Sequence, residues 1–302
     1  MADGIINVYK EKGYTSHDVV AKMRGILKQK KIGHTGTLDP MAEGVLPVCL
    51  GKGTKLCDML ADKTKTYRAV MLLGQETDTQ DTTGEVLAEY PVDVTEDQVR
   101  EAVLSFLGPY NQIPPMYSAL KVDGKKLYEL ARAGKEVERK ARPVEILEIQ
   151  IESIELPRVT MTVSCSKGTY IRTLCYDIGK KLGCGGCMEE LLRTRVGGYL
   201  LKDSLTLKQI EDCRDEGTLE SHIMPVEQAF EGYPVLTVKP EYDKLVHNGN
   251  TIDVNQAEGS YQTADGPVKV YDSEGVFIGI YGPSDSSTRL KPQKVFLGGN
   301  HT

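Results

Sequence analysis

Eight residues, Gly33-His34-Thr35-Gly36-Thr37-Leu38-Asp39-Pro40, constrain this chain more than any other stretch. Two glycines, two threonines and a closing proline make a loop there, and set one acid, Asp39, near a histidine. An Asp before proline is commonly a turn-former. An acid in so polar and glycine-rich a setting is also placed to do chemistry. The glycine spacing is not that of a dinucleotide-binding loop, and the Gly-Lys-Ser/Thr ending of a P-loop is absent. The nearest approach, Leu50-Gly51-Lys52-Gly53-Thr54, has Gly53 where a hydroxyl should follow the lysine.

The flanking sequence supplies regular elements. Residues 5–9 read as a short strand. Thr15-Ser16-His17-Asp18 offers capping residues for a helix whose apolar face is Val19, Val20, Met23, Ile26 and Leu27. Residues 45–50 read as a buried strand, 54–60 as a helix and 65–74 as a strand ending at glycine. The polar, threonine-rich stretch 75–84 is expected to be loop. Thr95 caps a helix reaching residue 107, and Pro114 and Pro115 stiffen 111–117. Strands are expected over 145–155 and 159–165. A helix is expected over 169–182, stopped by Gly183. Residues 191–199 read as an apolar and basic approach to a strand, and 211–231 as acidic loop. After Tyr233-Pro234 the pattern turns to short strands at 236–238, 268–271, 276–281 and 294–297, the signature of a small β-barrel.

A length of 302 residues suits two domains, divided near residue 232 into 1–232 and 233–302. The seven cysteines show no framework spacing, so free thiols in a reducing compartment are expected. Cys184-Gly185-Gly186-Cys187 lacks the second pair that a zinc ribbon needs. With no long apolar run and no basic leader, no membrane span is expected and the cytoplasm is the expected location. Net charge is −6, but its distribution is uneven. Residues 10–31 carry seven Lys or Arg against Glu11 and Asp18, and 121–142 carry eight against four acids. A basic face on an acidic protein suits a polyanion. The second run surrounds a short helix between Gly124 and Gly134, and is expected to protrude as a thumb over 118–142.

The loop, with Gly44 and Leu46-Pro47 after it, resembles the signature of the bacterial tRNA pseudouridine-55 synthases, the TruB family. Other stretches agree and stand in family order. Lys10 to Ser16 is similar to the N-terminal motif. Lys65-Thr66-Tyr67, with Leu73-Gly74 and Thr77 to Asp81, is similar to the tyrosine motif. Ser166 to Leu174 resembles the arginine motif, and Leu192-Arg193-Thr194 with Gly197 the last catalytic-domain motif. The C-terminal part resembles a PUA-type RNA-binding domain. Two positions depart: Glu11 stands where proline is usual, and Tyr199 where phenylalanine is common.

The resemblance implies an α+β pseudouridine synthase fold, with a central mixed, mainly antiparallel sheet flanked by helices, plus a PUA-like barrel. It implies isomerisation of a uridine in the T-arm stem-loop of tRNA, without cofactor or metal, by a monomer needing no protein partner. An accessory role in tRNA folding is compatible. Asp39, Tyr67 and Arg172 would be catalytic, and Lys10, His34, Thr35, Gly36, Tyr170 and Arg193 would bind substrate. Asp39 would attack C1′ or take a proton from C2′; the sequence leaves both open. Arg172 would hold the carboxylate charged in a desolvated site. Tyr67 and Tyr170 would stack on the flipped base, which His34 would buttress. Three other readings compete: a non-catalytic RNA binder on this scaffold, a guide-RNA-dependent relative, and an unrelated hydrolase using Asp39 and His34.

Overall fold

The computed structural model describes residues 1–122, 124–262, 266–284 and 288–297. Asp123 of the expected thumb and the last five residues of the expected C-terminal domain lie outside the described residues. A ten-stranded sheet organises the first part of the chain. Its main path runs Ile223–Met224, Gly4–Lys10, Glu43–Leu50, Gly186–Val196, Lys65–Leu73, Arg158–Cys165, Arg142–Glu155 and Gly108–Gln112. Within this sheet every strand pair is antiparallel except Glu43–Leu50 with Gly186–Val196. The α+β class and the mainly antiparallel sheet are therefore as expected.

Two helices carry the elements that matter for the site. Helix Ser16–Leu27 starts at Thr15, whose hydroxyl accepts from the Asp18 N–H while Asp18 caps back. This reciprocal box satisfies two otherwise orphaned donors. Val19, Val20 and Met23 bury its inner face. Helix Ile171–Leu182 ends at Gly183 in the left-handed conformation. Its Ile171, Leu174, Cys175 and Ile178 enter the larger core with Met71, Val103, Met161 and Val163.

The structure changes several elements. Residues 191–196 already belong to the central strand Gly186–Val196, and the short strand Tyr199–Leu200 follows and pairs back to it. Arg193 obscured this, because a buried arginine breaks the apolar reading of a central strand. The expected acidic loop instead begins inside helix Leu207–Asp215, capped by Thr206 and Gln209 and anchored by Leu207 and Ile210. Two buried residues suffice because the helix lies at the surface. The polar loop 75–84 opens with a strand, Gln75–Thr77, paired to Val86–Glu89. The expected helix 54–60 is a 3-10 turn, Gly51–Leu56, running into helix Cys57–Ala61. The helix capped by Thr95 stops at Leu104.

Six strands from Val235 to Val295 form a second sheet, a nearly closed barrel consistent with the PUA-like expectation. Its own core includes Leu236, Val246, Val268, Val270, Ile278 and Leu290. A further cluster joins it to the larger sheet: Ile5, Leu56, Leu60 and Phe230 pack with Ile280 and Phe296. Lys55 and Lys294 reinforce the joint, each donating to a backbone carbonyl across it.

Candidate active site

The loop emerges where the sheet divides. One edge of Glu43–Leu50 is covered by Gly4–Lys10 along its length. The other edge is shared: Gly186–Val196 pairs with Glu43 and Gly44, and Ile32–His34 pairs with Val48 to Leu50. Between these partners the edge opens, and residues 35–42 pass through the gap. Gly44 makes the crossing possible. Its φ is +105°, and a Cβ there would lie 2.2 Å from the Arg193 carbonyl oxygen.

Two buried cations hold the loop by its backbone. Lys10 Nζ donates to the carbonyls of Glu11 at 3.2 Å, Pro40 at 3.1 Å and Ala42 at 2.5 Å. Arg193 Nε donates to Val45 O at 2.7 Å, and its two terminal nitrogens to Thr37 O and Gly36 O, both at 3.4 Å. The N-terminal motif adds the Gly13 N–H to Pro40 O at 2.9 Å, and Ser16 Oγ, which accepts from the Leu38 N–H at 2.9 Å. Lys10 is 0% exposed and Arg193 1%. Both side chains were expected to bind substrate; here their donors point inward, to backbone carbonyls of the loop and the strand after it. Burial brings the Lys10 ammonium down to about 8.

So anchored, the loop leaves the Asp39 side chain directed at Arg172. The guanidinium nitrogen lies 3.3 Å from Oδ2 and 3.4 Å from Oδ1. The arginine is 6% exposed, whereas 35% of the Asp39 side chain remains open. The carboxylate is thus partly open while its counter-ion is buried. Burial raises the Asp39 pKa from its ordinary value; Arg172 and Lys10 oppose the rise, and the charge of Asp81 adds to it. Arg172 is itself held by the Tyr117 carbonyl at 2.6 Å, and Asp81 Oδ2 lies 4.0 Å away.

Tyrosines flank the pair. Tyr67 comes from the Lys65–Leu73 strand, opposite Arg193 in the ladder, and is buried. Burial, foremost, raises its pKa and keeps the phenol protonated. Tyr170 precedes helix Ile171–Leu182, with the Arg172 guanidinium 5.8 Å from its ring centre. The Gln112 side chain clamps the Tyr170 backbone, accepting its N–H at 2.8 Å and donating to its carbonyl at 3.0 Å.

His34 stands at the entry of the loop. Its ring packs edge-on against His17 at 5.2 Å, and Nδ1 accepts the Gly36 N–H at 3.3 Å. Burial, then the neighbouring His17 and Arg193 charges, lowers its pKa and favours the neutral ring. Thr35 donates its N–H to Pro47 O at 3.2 Å, and its buried hydroxyl has no hydrogen-bond partner among the described residues. Gly36 has φ +143°, and a Cβ there would lie 3.9 Å from an Arg193 terminal nitrogen.

Asp39, Arg172, Tyr67 and Tyr170 thus converge, with His34 at the loop entry and Lys10 and Arg193 behind. Sequence reading missed Asp81, Gln112, Ser16 and the Tyr117 carbonyl as supports. Asp81 lay in a quoted motif but read as loop. Gln112 carries no local signal. The expected thumb contains helix Leu127–Arg132, anchored by buried Leu127, with Tyr128 between the cations of Lys126 and Arg132. It follows directly on Tyr117. A groove of about 900 Å³ between the Ser16–Leu27 and Leu207–Asp215 helices is lined by none of the expected site residues. Its charged residues include Arg214, which pairs with Glu211 at 3.6 Å. Among the described residues, no helix is long and apolar enough to cross a membrane, and all seven cysteines are free thiols.

Comparisons with known proteins place the chain in a family. Residues 24–171 match the TruB family pseudouridylate synthase N-terminal domain, and residues 172–231 the tRNA pseudouridylate synthase B C-terminal domain. The chain is 54% identical to tRNA pseudouridine synthase B of Lachnoclostridium phytofermentans, over 98% of this chain and all of the relative. It is 42% identical to the Bacillus velezensis protein of the same name, over 98% of each. In a crystal structure of a Cbf5-Nop10-Gar1 complex, a chain 29% identical superposes with a TM-score of 0.72, covering 97% of this chain and 85% of that one. From the loop geometry, the ordered motifs and these full-length relatives together, the chain belongs to the TruB family of pseudouridylate synthases.

Proposed function

We propose that this enzyme isomerises a uridine in the T-arm loop of tRNA, of the position-55 type, to pseudouridine, with Asp39 as the catalytic carboxylate. The observation that carries the reading is the Asp39–Arg172 pair at 3.3 Å, on a loop whose backbone is fixed on both sides. The target base leaves its stack at a cost of a few kcal/mol. Faces of Tyr67 and Tyr170 offset that at about 1–3 kcal/mol per stacked base. His34 buttresses the extruded nucleotide. Exposed cations of the thumb, among them Lys121, Lys125 and Lys135, hold phosphates of the stem. The Asp39 carboxylate engages the sugar, N1–C1′ breaks, the uracil turns, and C5 bonds to C1′. N1 gains a proton and C5 loses one, so the product is an isomer and no redox partner enters.

The stand-alone reading in the cytoplasm, without guide RNA or partner subunit, is supported by the curated relatives. The Lachnoclostridium phytofermentans relative matches along its full length at 54% identity, against 27–29% for the chains in an H/ACA complex and a Cbf5-Nop10-Gar1 complex. The test uses purified Asp39→Asn with unmodified tRNA, chelator present, and position-resolved mapping of pseudouridine. The variant is expected to bind tRNA and form no pseudouridine. Product at the wild-type rate would remove Asp39 from the mechanism; wild-type product only outside the T-arm would remove the substrate assignment.

A further inference from the structure

Two cysteines outside the candidate active site meet beneath the first residue of the loop. Cys49 is the cross-strand partner of Gly33, and directly opposed residues place their Cβ positions about 4.5–5.5 Å apart on one face. Gly33 has no Cβ. The Cys57 sulfur takes up that space, 3.0 Å from where the atom would sit, so it is presented to the Cys49 side chain. Both side chains pack in the cluster that joins the two sheets, with Ile5, Leu56 and Leu60.

Their proximity makes the sulfurs unlike. Hydrogen bonding from Cys49, foremost, draws the Cys57 thiol below its ordinary pKa; burial and Asp58 oppose, and Lys294 of the barrel assists. Cys49 is pushed the other way by the same contact and by its burial. Cys57 is partly exposed while Cys49 is buried. An accessible thiolate-prone sulfur beside a buried thiol is the arrangement of a reactive cysteine with its resolving partner.

We propose that Cys49 and Cys57 form a peroxide-oxidisable dithiol that closes to a disulfide under Gly33. The Cys57 thiolate attacks one oxygen of hydrogen peroxide. The O–O bond breaks, the departing hydroxide takes the proton released by the thiol, and Cys57 becomes a sulfenic acid. The Cys49 sulfur then attacks the Cys57 sulfur, the S–O bond breaks, and hydroxide leaves as water with the Cys49 proton. Two thiols lose two electrons, and the peroxide is reduced to two waters. A thiol reductant reverses the bond by exchange.

The test treats the reduced full-length protein with hydrogen peroxide, alkylates it, and maps peptides without reduction. Wild type is expected to yield the Cys49–Cys57 cross-link and to lose it with dithiothreitol. Cys49→Ser is expected to stop at a Cys57 sulfenic acid trapped by dimedone, and Cys57→Ser to give neither product while unfolding like wild type. A bridge between other cysteines would overturn the proposal. So would oxidation of Cys57 no faster than Cys213, the other partly exposed thiol.

Discussion

Lys10→Met tests the claim that Lys10 acts through the loop. The side chains are nearly equal in volume, so packing changes little. Pro40 O keeps the Gly13 N–H at 2.9 Å, whereas no other hydrogen bond replaces the ammonium at the Glu11 and Ala42 carbonyls among the contacts described. Two stranded carbonyls cost about 1–3 kcal/mol each. Removing a buried ammonium returns part of this. The drop from 10.5 to about 8 corresponds to roughly 3 kcal/mol of disfavour for the charged form. The net loss of stability at pH 7 is therefore small, about 1 kcal/mol. Turnover should suffer far more, because a shift of about 1 Å at Asp39 is enough for a roughly hundredfold loss.

The pH dependence carries the sign of the effect. The folded-state pKa of Lys10 is depressed, so above pH 8 the unfolded chain holds a proton that the folded chain has released. Its contribution to stability grows as pH rises from 8 towards 10.5, and is absent below. Urea unfolding at pH 7 and pH 9.5, with single-turnover kinetics on tRNA, measures both quantities. Wild type should gain stability relative to Lys10→Met between the two pH values. A variant with wild-type turnover, or one with no such pH-dependent gap, would refute the clamp.

Four further outcomes are expected. Arg172→Lys keeps a charge but not the planar guanidinium, whose Nη2 meets both Asp39 and the Tyr117 carbonyl while Nη1 faces Asp81 at 4.0 Å; single-turnover rates should fall at least about tenfold with tRNA affinity, read by filter binding, little changed. Protonation of Asp39 should set an acid limb in the rate–pH profile above the ordinary carboxylate value of 3.8. Its raised folded pKa also means that the carboxylate weakens the fold once ionised, so Asp39→Asn should melt no lower than wild type at pH 7. Gly44→Ala forces a Cβ onto the Arg193 carbonyl at φ +105° and should cost more than about 1 kcal/mol in urea unfolding.

The sequence by itself determined the periodic helices 16–27 and 171–182, the Thr15 cap, the loop and its acid, and the change of pattern near residue 232. These are local, since each rests on spacings of a few residues. Its ordered motifs also put Asp39, Tyr67 and Arg172 in one set. Only the tertiary structure decided what Lys10 and Arg193 do. The resemblance implied substrate contacts for both, yet both are buried because carbonyls far along the chain accept their donors: Ala42 is 32 positions from Lys10, and Val45 is 148 from Arg193. The same long-range satisfaction hid the central strand around Arg193, and hid Gln112, which clamps a backbone 58 residues away. A buried polar group is tolerated only where a partner meets it, and no window of sequence contains that partner. The Gly33–Pro40 loop was legible as a place for chemistry. That its acid stands rigid against Arg172 follows from the divided edge of one strand and two cations folded in behind it.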